Sequence, residues 1–194
     1  METATGWDTL LSLSHPWAHL ASCSERTFGH LFSVLRRRDN GIVARIIQGD
    51  RCQTSPDFFR ESATVLNFPS YFGHNWDAFN DCINDLEWLP AKHYIFGIMR
   101  SHLLLVQDEN RLATFADILS DAADAWPIYD ADRDWTKTWI TAEDGTTQWA
   151  QRPVASFHAV LHCEPANEMP TRERFQKGGL SLAPFHISPE FAAQ

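Results

Sequence analysis

Residues 68–90 read FPSYFGHNWDAFNDCINDLEWLP, and this stretch decides how the rest of the chain is read. It opens as a turn at Pro69 and continues as a helix carrying Asp77, Asp81 and Asp85. Residues four apart share a helix face, so the carboxylates form one acidic stripe with Tyr71 at its start. Residues 61–90 hold five acids and no Lys or Arg. Like charges at this spacing weaken a helix. A sequence that keeps such a stripe points to a basic partner. The apolar residues Phe72, Trp76, Phe79, Ile83 and Leu86 recur at steps of three and four, which makes them the inward stripe. Gly73 is the expected source of backbone freedom at the helix entry.

Working upstream, Thr54 or Ser55 caps a helix with Pro56 at its first position, presenting Phe58, Phe59, Ala63 and Leu66 until Asn67 ends it. Residues 42–47 are rich in β-branched side chains and read as a strand ahead of Gly49-Asp50. Before them, Ser24 is placed to cap a helix over 25–38, with Phe28, Leu31, Phe32 and Leu35 on one face. Arg36, Arg37 and Arg38 fall in its last turn, where cations complement the helix dipole; a basic binding patch is the other reading. His15-Pro16 breaks the first segment, and Asn40-Gly41 signals a turn.

Working downstream, residues 94–99 read as a strand and 112–125 as an amphipathic helix with Leu112, Phe115, Ile118, Leu119 and Ala122 inward. Residues 126–153 carry Trp126, Trp135, Trp139 and Trp149, and Asp144-Gly145 lies between TKTWIT and TTQWAQ. Alternating β-formers around a two-residue turn predict an inserted hairpin or long loop. Residues 154–162 give the last strand, and 164–194 read as loop. The alternation of strands and helices predicts an α/β fold with a small parallel sheet covered by helices. It divides into an N-terminal extension, partly helical, over 1–41, a central domain over 42–163 with an insertion at about 127–153, and a C-terminal tail over 164–194.

The chain has 194 residues and a formal net charge of −9, with a pI of about 5.4. That balance opposes general nucleic-acid affinity, which needs a basic footprint, and favours a basic partner. No apolar run approaches the length of a membrane span. No basic region followed by an apolar one opens the chain, so no signal peptide is expected. Cys23, Cys52, Cys82 and Cys163 are widely spaced with no C-x-x-C pair. A reduced, cytoplasmic chain is the simplest expectation; a disulfide such as Cys82–Cys163 is the alternative.

The central stretch also resembles the barstar family of intracellular ribonuclease inhibitors. The residues that carry the resemblance are Pro69, Tyr71, Phe72, Gly73, Asn75, Asp77, Ala78, Asp81 and Cys82. It runs upstream through Gly49, Asp57 and Phe58 to about Ala44, and more loosely downstream to a strand at 157–162. The resemblance implies a three-stranded parallel sheet packed with helices. It implies a partner too: a basic ribonuclease, with the chain as immunity partner of a bacterial ribonuclease toxin. A carboxylate can occupy a phosphate position and pair with the same basic groups. By position, Asp81 matches the family's central anion and Asp77 the second acidic contact. Tyr71 matches the aromatic that packs on the partner, and Gly73 the glycine whose backbone faces it. Asn75 falls within the same motif, and Asp121 falls near an outlying acidic contact. Asn80, Asn84 and Leu86 stand where the family's pattern has Trp, Thr and Trp. Losing aromatic anchors from such a face implies an altered partner. The second reading is an interaction module of the same fold with a non-nuclease partner.

An enzyme reading has little to stand on. His74, Asp77 and Asp81 could share a face and bind a metal, but no H-E-x-x-H and no second ligand cluster accompany them. Phosphate-binding Gly-rich loops and Ser or Cys nucleophile signatures are absent. His158 and His162 lie on one side of a strand with nothing nearby to complete a site. His74 reads as an exposed residue able to steer the acidic surface, Cys82 as a small buried thiol, and Trp76 and Trp88 as packing. No cofactor and no metal are expected, and neither nucleic acid nor membrane as partner.

Overall fold

The computed structural model describes residues 6–38, 41–127, 137–141, 145–151 and 154–187. The elements run α1 (Gly6–Leu10), β1 (Ala18–Ser22), α2 (Glu25–Arg38), β2 (Ile42–Gln48), α3 (Ser55–Val65), α4 (Trp76–Asp85), β3 (His93–Met99), α5 (Leu112–Ala125), β4 (Lys137–Thr141), β5 (Thr147–Gln151), β6 (Ser156–Cys163), α6 (Glu168–Lys177) and β7 (Ala183–Pro184). Among the described residues, six helices surround a five-stranded sheet of order β2-β3-β6-β1-β7. Every pairing in that sheet is parallel.

A parallel sheet is buried on both faces, and alternation along the strands sorts two cores. Val43, Tyr94, Phe96, Phe157 and Leu161 pack with Phe58, Phe59, Phe79, Ile83, Phe115 and Leu119 from α3, α4 and α5. Ala44, Ile95, Met99 and Val160 meet Phe28, Leu31, Phe32 and Leu35 of α2, with Leu10 of α1. All eight residues of β6 are buried, as suits a strand flanked by β3 and β1. The acidic helix α4 therefore lies in one covering layer and α2 in the other.

The sheet has five strands where three were expected. The two further strands come from 18–22 and 183–184, read from sequence as extension and tail. The AHLAS segment of β1 offers little β-branched or aromatic signal; it is a strand because β6 and β7 hold it on either side. The stretch read as loop after 164 contains α6. Only Thr171 and Phe175 are buried along this helix, so no apolar periodicity announces it.

At several other points pattern and structure agree. Ser24 Oγ accepts from Thr27 N–H at 3.2 Å at the start of α2. Thr54 caps α3, accepting from Asp57 N–H, with a proline in the first turn. The hairpin expected around Asp144-Gly145 pairs β4 with β5 antiparallel; residues 142–144, and 128–136 before the hairpin, lie outside the described residues. All four cysteines are free.

Candidate functional site

The turn before α4 is built by packing. Phe72 N–H donates to Pro69 O at 2.9 Å. Phe72 is buried against Phe59 and Phe68, which throws its neighbour outward: Tyr71 is 72% exposed. The left-handed residue at the helix entry is His74, with φ 50, and not Gly73. The His74 ring rests on Phe72 at 4.8 Å. Gly73 serves by being small, because a Cβ there would lie 3.1 Å from Asn75 Nδ2.

Asn75 is the N-cap of α4. Its Oδ1 accepts from Ala78 N–H at 2.8 Å, and its Nδ2 donates to Gly73 O at 3.3 Å. The cap ties the exposed turn to the exposed helix face. Asp77 and Asp81 are both exposed, one turn apart, while Asp85 is half-buried. Asp77 sits in the first turn, where the helix dipole favours an anion. No basic residue stands in the last turn. The opposite side of α4 is fixed by Phe79, Cys82 and Ile83 in the core. Trp76, half-buried, stacks on Phe58 at 5.4 Å.

The field at Tyr71 comes from the far end of the stripe. Desolvation raises its phenol above the usual value, and the negative field of Asp85, then Cys82 and Glu87, adds to this. The hydroxyl is held protonated and able to donate. The Cys82 thiol is pushed up to about 11 by burial, then by Asp85 and Asp81. It is a packing residue and a poor nucleophile.

The three departures from the family's pattern separate on inspection. Asn84 Nδ2 donates to Asn80 O at 3.0 Å and to Asn80 Oδ1 at 3.2 Å, so these two half-buried amides satisfy each other. Leu86 is 1% exposed, caps α4 in the left-handed region at φ 46, and presents nothing to a partner. Asp121 is exposed on α5, which packs against α4. Trp126 Nε1 donates to Ile83 O at 3.0 Å and locks the end of α5 to α4. Trp88 Nε1 donates to Leu66 O at 3.0 Å, fixing the chain after α4.

Among the described residues no group of three or more His, Cys, Asp or Glu side chains is arranged to hold a metal ion, His74, Asp77 and Asp81 included. No helix among them is long and apolar enough to cross a membrane.

The fold is of the α/β class, a parallel sheet covered by helices with a capped anionic helix in one layer, and a family profile specifies it further. The profile described as Barstar (barnase inhibitor) matches residues 42–153, more than half of the chain, and the chain belongs to the barstar family. The match runs from β2 through the acidic helix to the end of the hairpin. Members of this family are inhibitors and not enzymes, and they bind ribonucleases. No curated protein matches the chain.

Proposed function

We propose that this protein binds and occludes the basic active site of a ribonuclease, as the immunity partner of a bacterial ribonuclease toxin. The observation that carries the reading is the placement of Asp77 and Asp81. They are exposed together on a helix without basic residues, behind a rigid Asn75 cap, within the segment that matches the family. Ribonuclease sites are basic because they hold phosphate, and fixed carboxylates compete for the same Arg, Lys and His groups. Asp81 is the central anion and Asp77 the second. Tyr71 supplies an exposed aromatic anchor with a donor hydroxyl, Gly73 a close backbone approach, and Asn75 the cap. Asn80, Asn84 and Asp121 border the face. The mechanism is stoichiometric occlusion without chemistry, and the −9 net charge speeds encounter with a basic target.

The paired amides of Asn80 and Asn84 favour a partner different from the family's usual one. They replace an aromatic anchor with a polar pair; the alternative of a non-nuclease partner rests instead on the added surface of the N-terminal helix and the Trp-rich segment. The test is a titration of the purified chain against a panel of basic microbial ribonucleases, following RNA cleavage at low and physiological salt. Saturation at one-to-one, weakening with salt, is the expected result. Inhibition of no member would shift the reading to the non-nuclease partner. Asp81→Ala should weaken binding to the inhibited nuclease by several kcal/mol, the scale of an interface hot spot. A loss below about 0.5 kcal/mol with the fold intact would remove Asp81 from the role.

A further inference from the structure

Three histidines, His19, His158 and His162, are buried to 1% exposure or less, and all three stand on one side of the sheet. His158 and His162 alternate along β6 with Phe157, Ala159 and Leu161, which belong to the α3–α5 core. They share their side with Val160, which packs under α2. His19 alternates with Ala18 and Leu20 in the same way. Among the described residues no other histidine is buried, so none is buried in the larger core under α3, α4 and α5.

These rings grip the N-terminal layer by its backbone. His158 Nε2 lies 2.9 Å from Ser12 O, and His162 Nε2 lies 2.9 Å from Cys23 O. A carbonyl only accepts, so each Nε2 carries the hydrogen. His162 Nδ1 accepts from Arg100 N–H at 3.2 Å and is bare. His158 Nδ1 faces His19 Nε2 at 3.2 Å, the rings stacked at 5.4 Å, with Phe185 against His19 at 5.6 Å. The same layers are also joined nearby by Ser156 Oγ, which donates to Leu10 O, and by the Arg100 guanidinium, which donates to Glu25 of α2 and also to Asp50 after β2.

The charged groups around the rings come from several neighbouring segments. His93 of β3 and His15 of the N-terminal segment face His158, His15 itself meeting Asp124 of α5. Glu164, Glu25 and His102 surround His162. A proton on His162 Nδ1 would point at the Arg100 N–H. A second proton on the His19–His158 pair would set two N–H groups face to face.

We propose that His19, His158 and His162 form an acid-released latch: when they take up protons, α1 and α2 come away from the sheet while the α3–α5 layer, with the acidic helix, stays folded. Burial holds all three imidazoles below their usual value, His19 at about 4. Opening returns them to water, where they charge readily. Acid therefore drives opening on the histidine side alone, because among the described residues the other core has no buried imidazole.

Hydrogen exchange of the full chain at pH 7.5 and pH 5.0, corrected for intrinsic rates, tests the latch. The amides of α2 should exchange at least tenfold faster at pH 5.0, with α4 and α5 unchanged. The double variant His158→Gln and His162→Gln keeps a donor for each carbonyl but cannot charge; it should lose most of this response. Where that variant does not fold at pH 7.5, the Cε1–H titration of the wild-type histidines by NMR decides, and it should coincide with the loss of α2 protection. Unchanged α2 protection at pH 5.0 would overturn the proposal. So would loss shared equally by α4 and α5, a full pH response in the folded double variant, or histidine titration without loss of α2 protection.

Discussion

Under the proposed function, Asn75 joins stability to binding at a single position. It is the only side chain that both caps α4 and bonds back to the turn carrying Gly73 among the hydrogen bonds described. Replacing an Asn cap by Ala costs about 1 kcal/mol, and Asn75→Ala should show that loss in urea denaturation. It should also weaken partner binding, because the Asp77 face and the Tyr71 turn are then no longer held in one geometry. Asp81 behaves in the opposite sense. It stands one turn from both Asp77 and Asp85, and like charges at that spacing oppose a helix by a few tenths of a kcal/mol each. Asp81→Asn should therefore raise the stability of the free protein by about 0.5 kcal/mol while impairing partner binding. A variant that loses stability and binding together would mean that Asp81 supports the fold and not the interface.

At the scale of elements, α2 docks on β3 where Gly97 leaves room. A Cβ at Gly97 would come within 2.5 Å of the Phe32 ring. Gly97→Ala should destabilise by about 1–3 kcal/mol, the usual cost of overpacking, and Phe32→Leu in the same chain should recover part of it. Binding through α4 should survive, since α2 lies on the other face of the sheet. Equilibrium unfolding of the two variants checks the first expectation and partner titration the second. This contact also marks the limit of the sequence. The amphipathic helices α2, α3, α4 and α5 were legible because periodic apolar residues and caps are local signals. So were β2 and β3, through their β-branched and aromatic residues. β1 and α6 were not legible, because their burial is conferred by neighbours distant in the chain. The acidic stripe of the candidate site followed from spacing alone. The inward place of Leu86 followed from it too; the left-handed step at His74, the Asn80–Asn84 pair and the reach of Asp85's field to Tyr71 did not. The first and last depend on how the turn at 69–75 is placed, and the amide pair on side-chain rotamers that apolar periodicity does not encode.

For the whole molecule, the distribution of titratable groups sets a stability profile that falls toward acid. A histidine held below its ordinary value in the folded state binds protons preferentially in the unfolded chain. Its neutral burial therefore costs nothing above about pH 6.5, and the folded state is progressively penalised as pH falls toward 4. For His19, the gap between 6.5 and about 4 corresponds to roughly 3 kcal/mol at the acid end. His158 and His162 act in the same direction. A second set of groups takes over lower down. Glu25, bonded to Arg100, and Asp108, bonded to Ser55 N–H, are held below the usual carboxylate range. A carboxylate of this kind stabilises above its unfolded value, and its contribution is lost as pH falls through the folded one. Both sets fail on the same side of neutrality, the histidines first. The melting temperature should be level between pH 7 and 8 and decline steadily from 6.5 to 4. His19→Gln, if folded, should flatten the upper part of that decline. Calorimetric melts at half-unit pH intervals check the profile, and a melting temperature level down to pH 5 would show that the buried imidazoles do not govern it.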